Sequence, residues 1–284
     1  MTFDIKLKST PPLKLAVYFL FFALMCVYVL LILYPLFNMF ASSFKTTREI
    51  FQDPFSLPTA FSWDNYRQVW FEGGFSRYFL NSVTVTATSM AIVILFGSMA
   101  AFGVSRYKYR LSTLVYLLFL SGIMLPLKAA IIPLFLIVRN LGLMNTHLSL
   151  IFVFAAMGIP STVFILAGFM RTIPRDLEDA ARIDGCNDFS IYRRVIMPLS
   201  APSIALVTIY NMVPIWNDFF FPLVFIQRDR LKTLPLGMST FFGQFQINWA
   251  LVFTALSIAI LPMLIMYLFM SKYFIKGMTA GALK

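Results

Sequence analysis

Lys128 and Asp218 are ionisable residues that lie inside long apolar runs of the sequence. An uncompensated charge in hydrocarbon costs several kcal/mol, and such a group generally faces protein or a water-filled path. At about 1.5 Å of rise per residue, both residues lie roughly 24 to 27 Å from the start of their runs. Matched depth and opposite sign lead to the hypothesis that the two side chains interact. In the alternative, each side chain extends separately to the external surface.

Asn211, Trp216 and Asn217 place amide and indole groups in the same run as Asp218. A cavity that handles sugars uses such groups, because amides hydrogen-bond to hydroxyls and aromatic faces stack on the apolar face of a sugar ring. We therefore assign these four residues and Lys128 to a candidate translocation pathway. The alternative is structural: asparagines fix contacts between helices, and Trp216 belongs to an interfacial belt.

A second group of polar residues fills the segment 171–198, which holds five acidic and five basic residues in a chain with only 12% charged residues. Pro174, clustered acids and a final Gly185 predict a short helix over 173–185. Asn187 or Asp188 is expected to cap a second helix that Pro198 ends or kinks. So many charges in one segment indicate contact with a soluble partner.

Several classes of chemistry are disfavoured by missing motifs. The sequence has no G-x-x-x-x-G-K-[ST] phosphate loop, so energy from ATP must enter through another polypeptide. It has no H-E-x-x-H or G-x-S-x-G motif and a single histidine, His147, so we predict no catalytic residue, metal site or bound cofactor. Asp218 is the only carboxylate in any apolar run, which makes an ion-driven carrier a weaker alternative.

The elements that position these residues are membrane helices. Hydrophobic residues make up 60% of the chain and the mean hydropathy is +0.81, so a water-soluble domain is excluded. Six stretches have the roughly 20 apolar residues that a crossing needs: 15–40, 79–104, 112–138, 148–170, 202–223 and 250–271. We predict an all-α membrane protein with six transmembrane helices.

The distribution of lysine and arginine predicts the orientation of these helices. With the N-terminus inside, 14 of these residues lie on the cytoplasmic side and 8 on the external side. Cytoplasmic loops carry the excess of positive charge, so both termini are expected in the cytoplasm. The predicted parts are a cytoplasmic N-terminus (1–14), a first transmembrane helix (15–40), an external loop (41–78), a five-helix core (79–272) that contains the 171–198 loop, and a cytoplasmic tail (273–284).

The 171–198 loop resembles a motif of permease subunits of bacterial and archaeal ABC importers, E-A-A-x3-G-x9-I-x-L-P. Asp179, Ala180, Ala181 and Gly185 match its first half, and the run from Val195 to Pro198 matches its end. This sequence has Asp179 where the motif has Glu, Val195 where it has Ile, and Met197 where it has Leu. The Trp216-Asn217-Asp218-Phe219 segment and the tail from Lys276 to Ala282 are similar to the MalG-like branch, which takes up carbohydrates.

This resemblance implies a type I ABC importer permease in the bacterial or archaeal cytoplasmic membrane. Its partners would be a second, MalF-like permease, an ATPase dimer that uses ATP-Mg, and an extracytoplasmic solute-binding protein. The loop would be the coupling helix that contacts the ATPase, through Glu178, Asp179, Ala180, Ala181, Asp184 and Gly185.

The solute implied by the resemblance is a sugar, and we expect an oligosaccharide. The alternative is a non-sugar or anionic solute, such as a sugar phosphate or a uronate oligomer. Arg228, Arg230, Lys232 and Lys128 favour that alternative, but they are equally suited to contact an acidic binding protein or lipid headgroups.

Overall fold

The computed structural model describes residues 12–107, 110–126, 128–241 and 247–282. All secondary-structure elements in these ranges are helical, as predicted. The first half contains α1 (Pro12–Ser42), α2 (Thr47–Gln52), α3 (Asp64–Arg67), a π turn (Gln68–Glu72), α4 (Phe75–Arg106), α5 (Arg110–Met124), α6 (Ile131–Asn140) and α7 (His147–Met170). The second half contains α8 (Asp176–Ile183), α9 (Asp188–Ile191), a π turn (Tyr192–Ile196), α10 (Met197–Leu199), α11 (Ala201–Asn217), α12 (Phe220–Phe225), α13 (Leu234–Met238) and α14 (Trp249–Ala282).

Four helices of the described chain are long and apolar enough to cross a membrane. They cover Lys14–Ser42, Phe75–Arg106, His147–Met170 and Trp249–Ser271. A fifth candidate is the pair Asp188–Leu199 and Ala201–Asn217, whose two parts meet at an angle of 77°. Pro198 lies just before this bend, where it was expected to end or kink the helix. The number of candidate spans is therefore four or five by length and composition.

The predicted third span, 112–138, is wrong as a single helix. α5 ends at Met124 and α6 begins at Ile131, each too short to cross alone. Pro126 has no N–H and disfavours a helical conformation in the residue before it. Its carbonyl accepts bonds from the N–H groups of Ala129 (2.8 Å) and Ala130 (3.3 Å), which close a turn. Lys128 therefore lies in a break between helices.

The predicted fifth span, 202–223, is also broken. α11 ends at Asn217, Asp218 has an extended backbone (φ −71°, ψ 122°), and α12 begins at Phe220. The carboxylate Oδ1 of Asp218 accepts a bond of 2.8 Å from the N–H of Phe221, in the first turn of α12. The acid thus satisfies a backbone donor that the break would leave without a partner.

The core of the fold is the contact between α4 and α7, which depends on two glycines. A Cβ on Gly97 of α4 would lie 2.5 Å from Cγ2 of Thr162, and a Cβ on Gly158 of α7 would lie 2.7 Å from Cγ2 of Val93. Thr162 and Val93 are fully buried, so neither can move aside easily. Small residues let two helix backbones approach closely, as is common between membrane helices.

Helix α1 packs differently from the other long helices. It contacts α14, but none of the residues in its most apolar window is buried. Its exposed side chains are large and apolar, including Phe19, Phe22 and Leu30 at 61% exposure or more. A surface of this composition is suited to lipid.

Replacement of Gly97 by alanine is expected to destabilise the protein by about 1 to 3 kcal/mol, because the new methyl group overlaps Thr162. Gly103, on the same helix, has no atom within 4 Å of its ideal Cβ. Gly103→Ala should instead be neutral or stabilise by up to about 1 kcal/mol, since alanine favours helix. Thermal unfolding of the purified protein in detergent measures both. Equal shifts for the two variants would contradict the close packing.

Candidate translocation pathway and coupling site

A cavity of about 910 Å³ opens where the two broken helices meet α7. Its polar lining comes from Lys128 in the α5–α6 break, Asn217 and Asp218 at the α11–α12 break, and Tyr210 and Asn211 on α11. Its apolar lining includes the rings of Phe154, Phe219 and Phe220. Rings combined with a few amide, hydroxyl and charged groups are typical of sites for small polar organic molecules.

The two charged residues expected to interact do so across this cavity. Nζ of Lys128 lies 3.5 Å from Oδ2 of Asp218 and 6.0 Å from the centre of the Phe220 ring. The side chain of Asp218 is 7% exposed, whereas that of Lys128 is 64% exposed. The predicted proximity is confirmed. The unequal burial makes the acid a fixed part of the wall and the lysine its solvent-accessible counterion.

Asn211 lines the cavity, but its amide is used within the protein. Its Oδ1 accepts a bond of 3.1 Å from Ser161 Oγ, and its Nδ2 donates to Thr162 Oγ1 (3.3 Å) and to the carbonyl of Val207 (3.0 Å). The residue is buried. These bonds join α11 to α7, so Asn211 fixes the two helices that form the wall.

Trp216 is the one predicted pathway residue that the structure places outside the cavity. It is buried, its Nε1 donates a bond of 3.1 Å to the carbonyl of Ala259 on α14, and its ring packs edge-on against Phe79 at 5.8 Å. Helix periodicity explains the difference, because the residues on either side of Trp216 project from other parts of α11. Asn217, the next residue, is exposed and lines the cavity.

The segment between α12 and α13 is held in place by residues at the start of α4 and just before α7. Tyr78 OH donates a bond of 2.8 Å to Asp229, and Oδ1 of Asn145 accepts from the N–H of Arg228 at 3.0 Å. Lys232 Nζ lies 2.9 Å from Oδ1 of Asp229. The hydrogen bond from Lys232 holds the pKa of Asp229 below its ordinary value, with a further contribution from Tyr78. Arg230, in contrast, is exposed on this segment.

The predicted coupling helix is α8, which is shorter than the expected 173–185. Its first turn contains acids and its last turn contains Arg182, which suits the helix dipole. Gly185 has φ +83°, and the N–H of Cys186 bonds to the carbonyl of Ala181 at 2.9 Å. Gly185 thus adopts the left-handed conformation that glycine favours just after a helix. The side chain of Asn187 caps the next helix by accepting from the N–H of Ser190 at 2.9 Å.

Glu178 does not face outward from this helix. Its Oε1 lies 2.7 Å from Nε of Arg106, the last residue of α4, and both side chains are less than 10% exposed. The two terminal nitrogens of Arg106 donate to the carbonyl of Ile173 at 3.3 and 3.2 Å. α8 begins only at Asp176, since Pro174 disfavours a helical conformation at Ile173. Glu178 and Arg106 therefore attach α8 to the end of α4.

The rest of α8 presents a mixed surface to solvent. Asp179, Ala180 and Asp184 are exposed, and Ile183 is 87% exposed. On the opposite side, Arg182 pairs with Asp188 at 2.6 Å, which ties α8 to α9. A largely exposed isoleucine beside small and acidic residues is suited to protein contact.

Comparison with known proteins decides the family. Residues 93–280 match the family described as binding-protein-dependent transport system inner membrane component. The chain belongs to this family of permeases. It is therefore a multi-pass inner-membrane protein and a non-catalytic subunit, as the sequence resemblance implies.

Two relatives and one solved structure illustrate the similarity. The permease is 38% identical over 268 residues to a putative ABC transporter permease of Caldicellulosiruptor sp., covering 94% of this chain and 96% of the relative. It is 35% identical over 251 residues to the melibiose/raffinose/stachyose import permease MelC of Bacillus subtilis, covering 88% and 91%. The fold also matches a chain in the crystal structure of a bacterial ABC transporter involved in the import of the acidic polysaccharide alginate. The TM-score is 0.82, the sequence identity is 22%, and the match covers 93% of this chain and 99% of that chain. At that identity the likeness concerns the fold.

Sequence reasoning missed four residues of the two sites in this permease: Arg106, Ser161, Thr162 and Tyr210. Arg106 contributes to the predicted excess of positive charge on the cytoplasmic side, but it is followed by further basic residues and lies far from Glu178 in the sequence, so nothing there indicates the ion pair. Ser161 and Thr162 are adjacent hydroxyls within an otherwise apolar helix, which could have indicated a polar contact between helices. Tyr210 gave no separate signal among the 12 tyrosines.

Breaking the Arg106–Glu178 pair is expected to detach α8 from the permease core. Glu178→Gln leaves Arg106 buried without a counterion and should lower stability by about 3 to 5 kcal/mol. Arg106→Met combined with Glu178→Met should recover part of this loss, because no charge is then left unpaired. Asp179→Asn, on the exposed side of α8, is the control and should shift stability by less than about 0.5 kcal/mol. Equal melting shifts for Glu178→Gln and Asp179→Asn would disprove the role assigned to the pair.

The two roles of Asp218 can be separated by substitution. Asp218→Asn keeps an oxygen that can accept from Phe221 N–H but removes the charge, whereas Asp218→Ala removes both. The alanine variant should be less stable than the asparagine variant by about 1 kcal/mol. Lys128→Met should cost less than about 1 kcal/mol, since Lys128 is largely exposed. Thermal unfolding tests this order, and a larger loss for Lys128→Met than for Asp218→Ala would reverse the interpretation.

Proposed function

We propose that the permease forms half of the translocation pathway of an ATP-driven, binding-protein-dependent importer of sugars, and that the solute is an oligosaccharide. The observation that carries this proposal is the cavity at the two helix breaks, where the exposed amide of Asn217 and hydroxyl of Tyr210 lie beside the rings of Phe219 and Phe220. Amide and hydroxyl groups suit sugar hydroxyls, and the rings suit the apolar faces of a saccharide. Lys128, Asp218 and Asn211 form the wall.

Six crossings with both termini in the cytoplasm are part of this proposal. The four long helices supply four of them, the α9–α11 region with α12 supplies a fifth, and α5 with α6 supplies the sixth as a broken span. Broken helices are tolerated at membrane depth where they are covered by protein or line a water-filled cavity. The positions of Lys128 and Asp218 at such breaks support this arrangement.

Two observations favour a neutral saccharide over the anionic alternative. The first is the name of the relative MelC, which gives melibiose, raffinose and stachyose as its solutes, and these sugars are uncharged. Two of the four cations that favour an anion are paired with carboxylates, Lys128 with Asp218 and Lys232 with Asp229. Arg228 and Arg230 are exposed on the segment between α12 and α13, which the proposed orientation places outside the cell. They are suited to contact an acidic binding protein instead.

The proposed energy input enters at the exposed surface of α8. Asp179, Ala180, Asp184 and Gly185 are exposed and would lie against a partner ATPase dimer that binds ATP-Mg. Ala181, which was expected in the same contact, is half-buried and packs toward the core, and Glu178 holds the helix to α4. The remaining partners are a second, MalF-like permease and an extracytoplasmic solute-binding protein. The family description supports the binding protein, because it names a binding-protein-dependent transport system.

The test is uptake of a radiolabelled oligosaccharide such as raffinose into proteoliposomes that contain the complete transporter, with the binding protein outside and ATP inside. Gly185→Val should leave the complex assembled but reduce uptake at least tenfold, because a β-branched residue is disfavoured at φ +83° and the turn after α8 would shift. Gly185→Asn is the matched control and should retain most activity, since asparagine tolerates this conformation.

Two outcomes would contradict the proposal. Uptake that proceeds without nucleotide would indicate an ion-driven carrier. Normal ATP-dependent uptake by Gly185→Val would remove the turn after α8 from the coupling path, because space around Gly185 is open and only its backbone conformation constrains the position.

A further inference from the structure

The segment after α1 forms a rigid cap on the membrane side where α1 ends. Lys45 is 1% exposed, and its Nζ donates a bond of 3.1 Å to the carbonyl of Asp53. Asn65 Nδ2 donates to the carbonyls of Ser43 and Lys45, both at 3.0 Å. Thr46 and Glu49 form a reciprocal cap at the start of α2. These bonds fix the position of the chain from 43 to 66.

This cap exposes an unusual number of large apolar side chains. Phe51, Phe55, Leu57, Phe61 and Trp63 are each between 63% and 74% exposed. Contiguous apolar surface of this kind on a fixed scaffold marks contact with a membrane or another protein. The charged residues Arg48, Glu49 and Asp53 lie in the same segment, so it is amphipathic.

The position of Phe55 indicates which surface it contacts. Its ring centre lies 6.3 Å from that of Tyr34, which precedes the end of α1 at Ser42 by eight residues. Eight helical residues correspond to about 12 Å along the axis. The chain therefore leaves α1, turns through α2, and folds back beside α1 to a depth within the apolar span.

We propose that the loop 51–57 inserts into the external leaflet of the bilayer, with Phe55 and Leu57 at the boundary between headgroups and acyl chains. Its occupant is membrane lipid, because the loop continues the surface of α1, none of whose apolar window is buried by the permease. Aromatic rings are favoured at this boundary, and the backbone of the loop stays bonded to Lys45. The loop anchors the cap at a fixed depth beside the first span.

The test measures the depth of spin labels in the complete transporter, reconstituted in phosphatidylcholine–phosphatidylglycerol nanodiscs. Phe55→Cys and Leu57→Cys are made separately in a background in which Cys26 and Cys186 are replaced by serine, and each is labelled with a nitroxide. Gln68→Cys, at an exposed polar position just after the cap, is the control. Collision rates are measured with oxygen, which concentrates in lipid, and with a nickel chelate, which stays in water.

Both labels in the loop should show oxygen collision rates several-fold above those with nickel, and Gln68→Cys should show the reverse. Nickel access at 55 and 57 equal to that at 68 would place the loop in water and overturn the proposal. Protection from both reagents would also overturn it, since another protein subunit would then cover the patch. Retained sugar uptake by each labelled variant shows that the cap is intact. The same result at positions 55 and 57 shows that neither label has changed the depth of the loop by itself.

Discussion

A polar group inside a membrane needs a partner within the protein, and this constraint governs where the helices of the permease are continuous and where they break. α1 has no buried residue in its most apolar window and is unbroken. The interruptions at Pro126 and Asp218 occur instead where α5, α7, α11 and the start of α12 surround a common cavity. The carboxylate of Asp218 serves both the backbone N–H of Phe221, which the break would leave without a partner, and the ammonium of Lys128. The same residues that make the breaks tolerable therefore line the cavity.

A related constraint applies to the 171–198 loop, where a buried charge also needs a partner within the protein. Arg106 is buried at the end of α4 and would be costly alone, but it is matched by Glu178 and by the carbonyl of Ile173. This arrangement ties α8 to α4, and Asp188 ties it to α9. Since the chain continues from α9 through a 77° bend into α11, α8 is connected to both α4 and α11.

Much of this fold could be predicted from the sequence, and the exceptions have physical causes. Hydropathy located 15–40, 79–104, 148–170 and 250–271 within a few residues of the four candidate membrane spans, because a membrane helix needs a minimum apolar length. It merged α5 with α6 and α11 with α12, because apolar residues flank each break and an average over 20 residues hides a turn. Depth and charge predicted the contact of Lys128 with Asp218. The direction in which Trp216 and Glu178 point depends on how helices rotate against their neighbours, which spacing in one sequence does not fix.

Asn211 limits how the wall of the cavity can move. Separation of α11 from α7 at this level would break its bonds with Ser161 and Thr162 and leave buried polar groups without partners, at about 1 to 3 kcal/mol each. α7 is in turn held against α4 by the close approach at Gly97 and Gly158. The centre of the bundle is therefore a stiff unit, and the parts free to change are those beyond it. On one side these are the breaks at Lys128 and Asp218, which line the cavity, and on the other the 77° bend before α11.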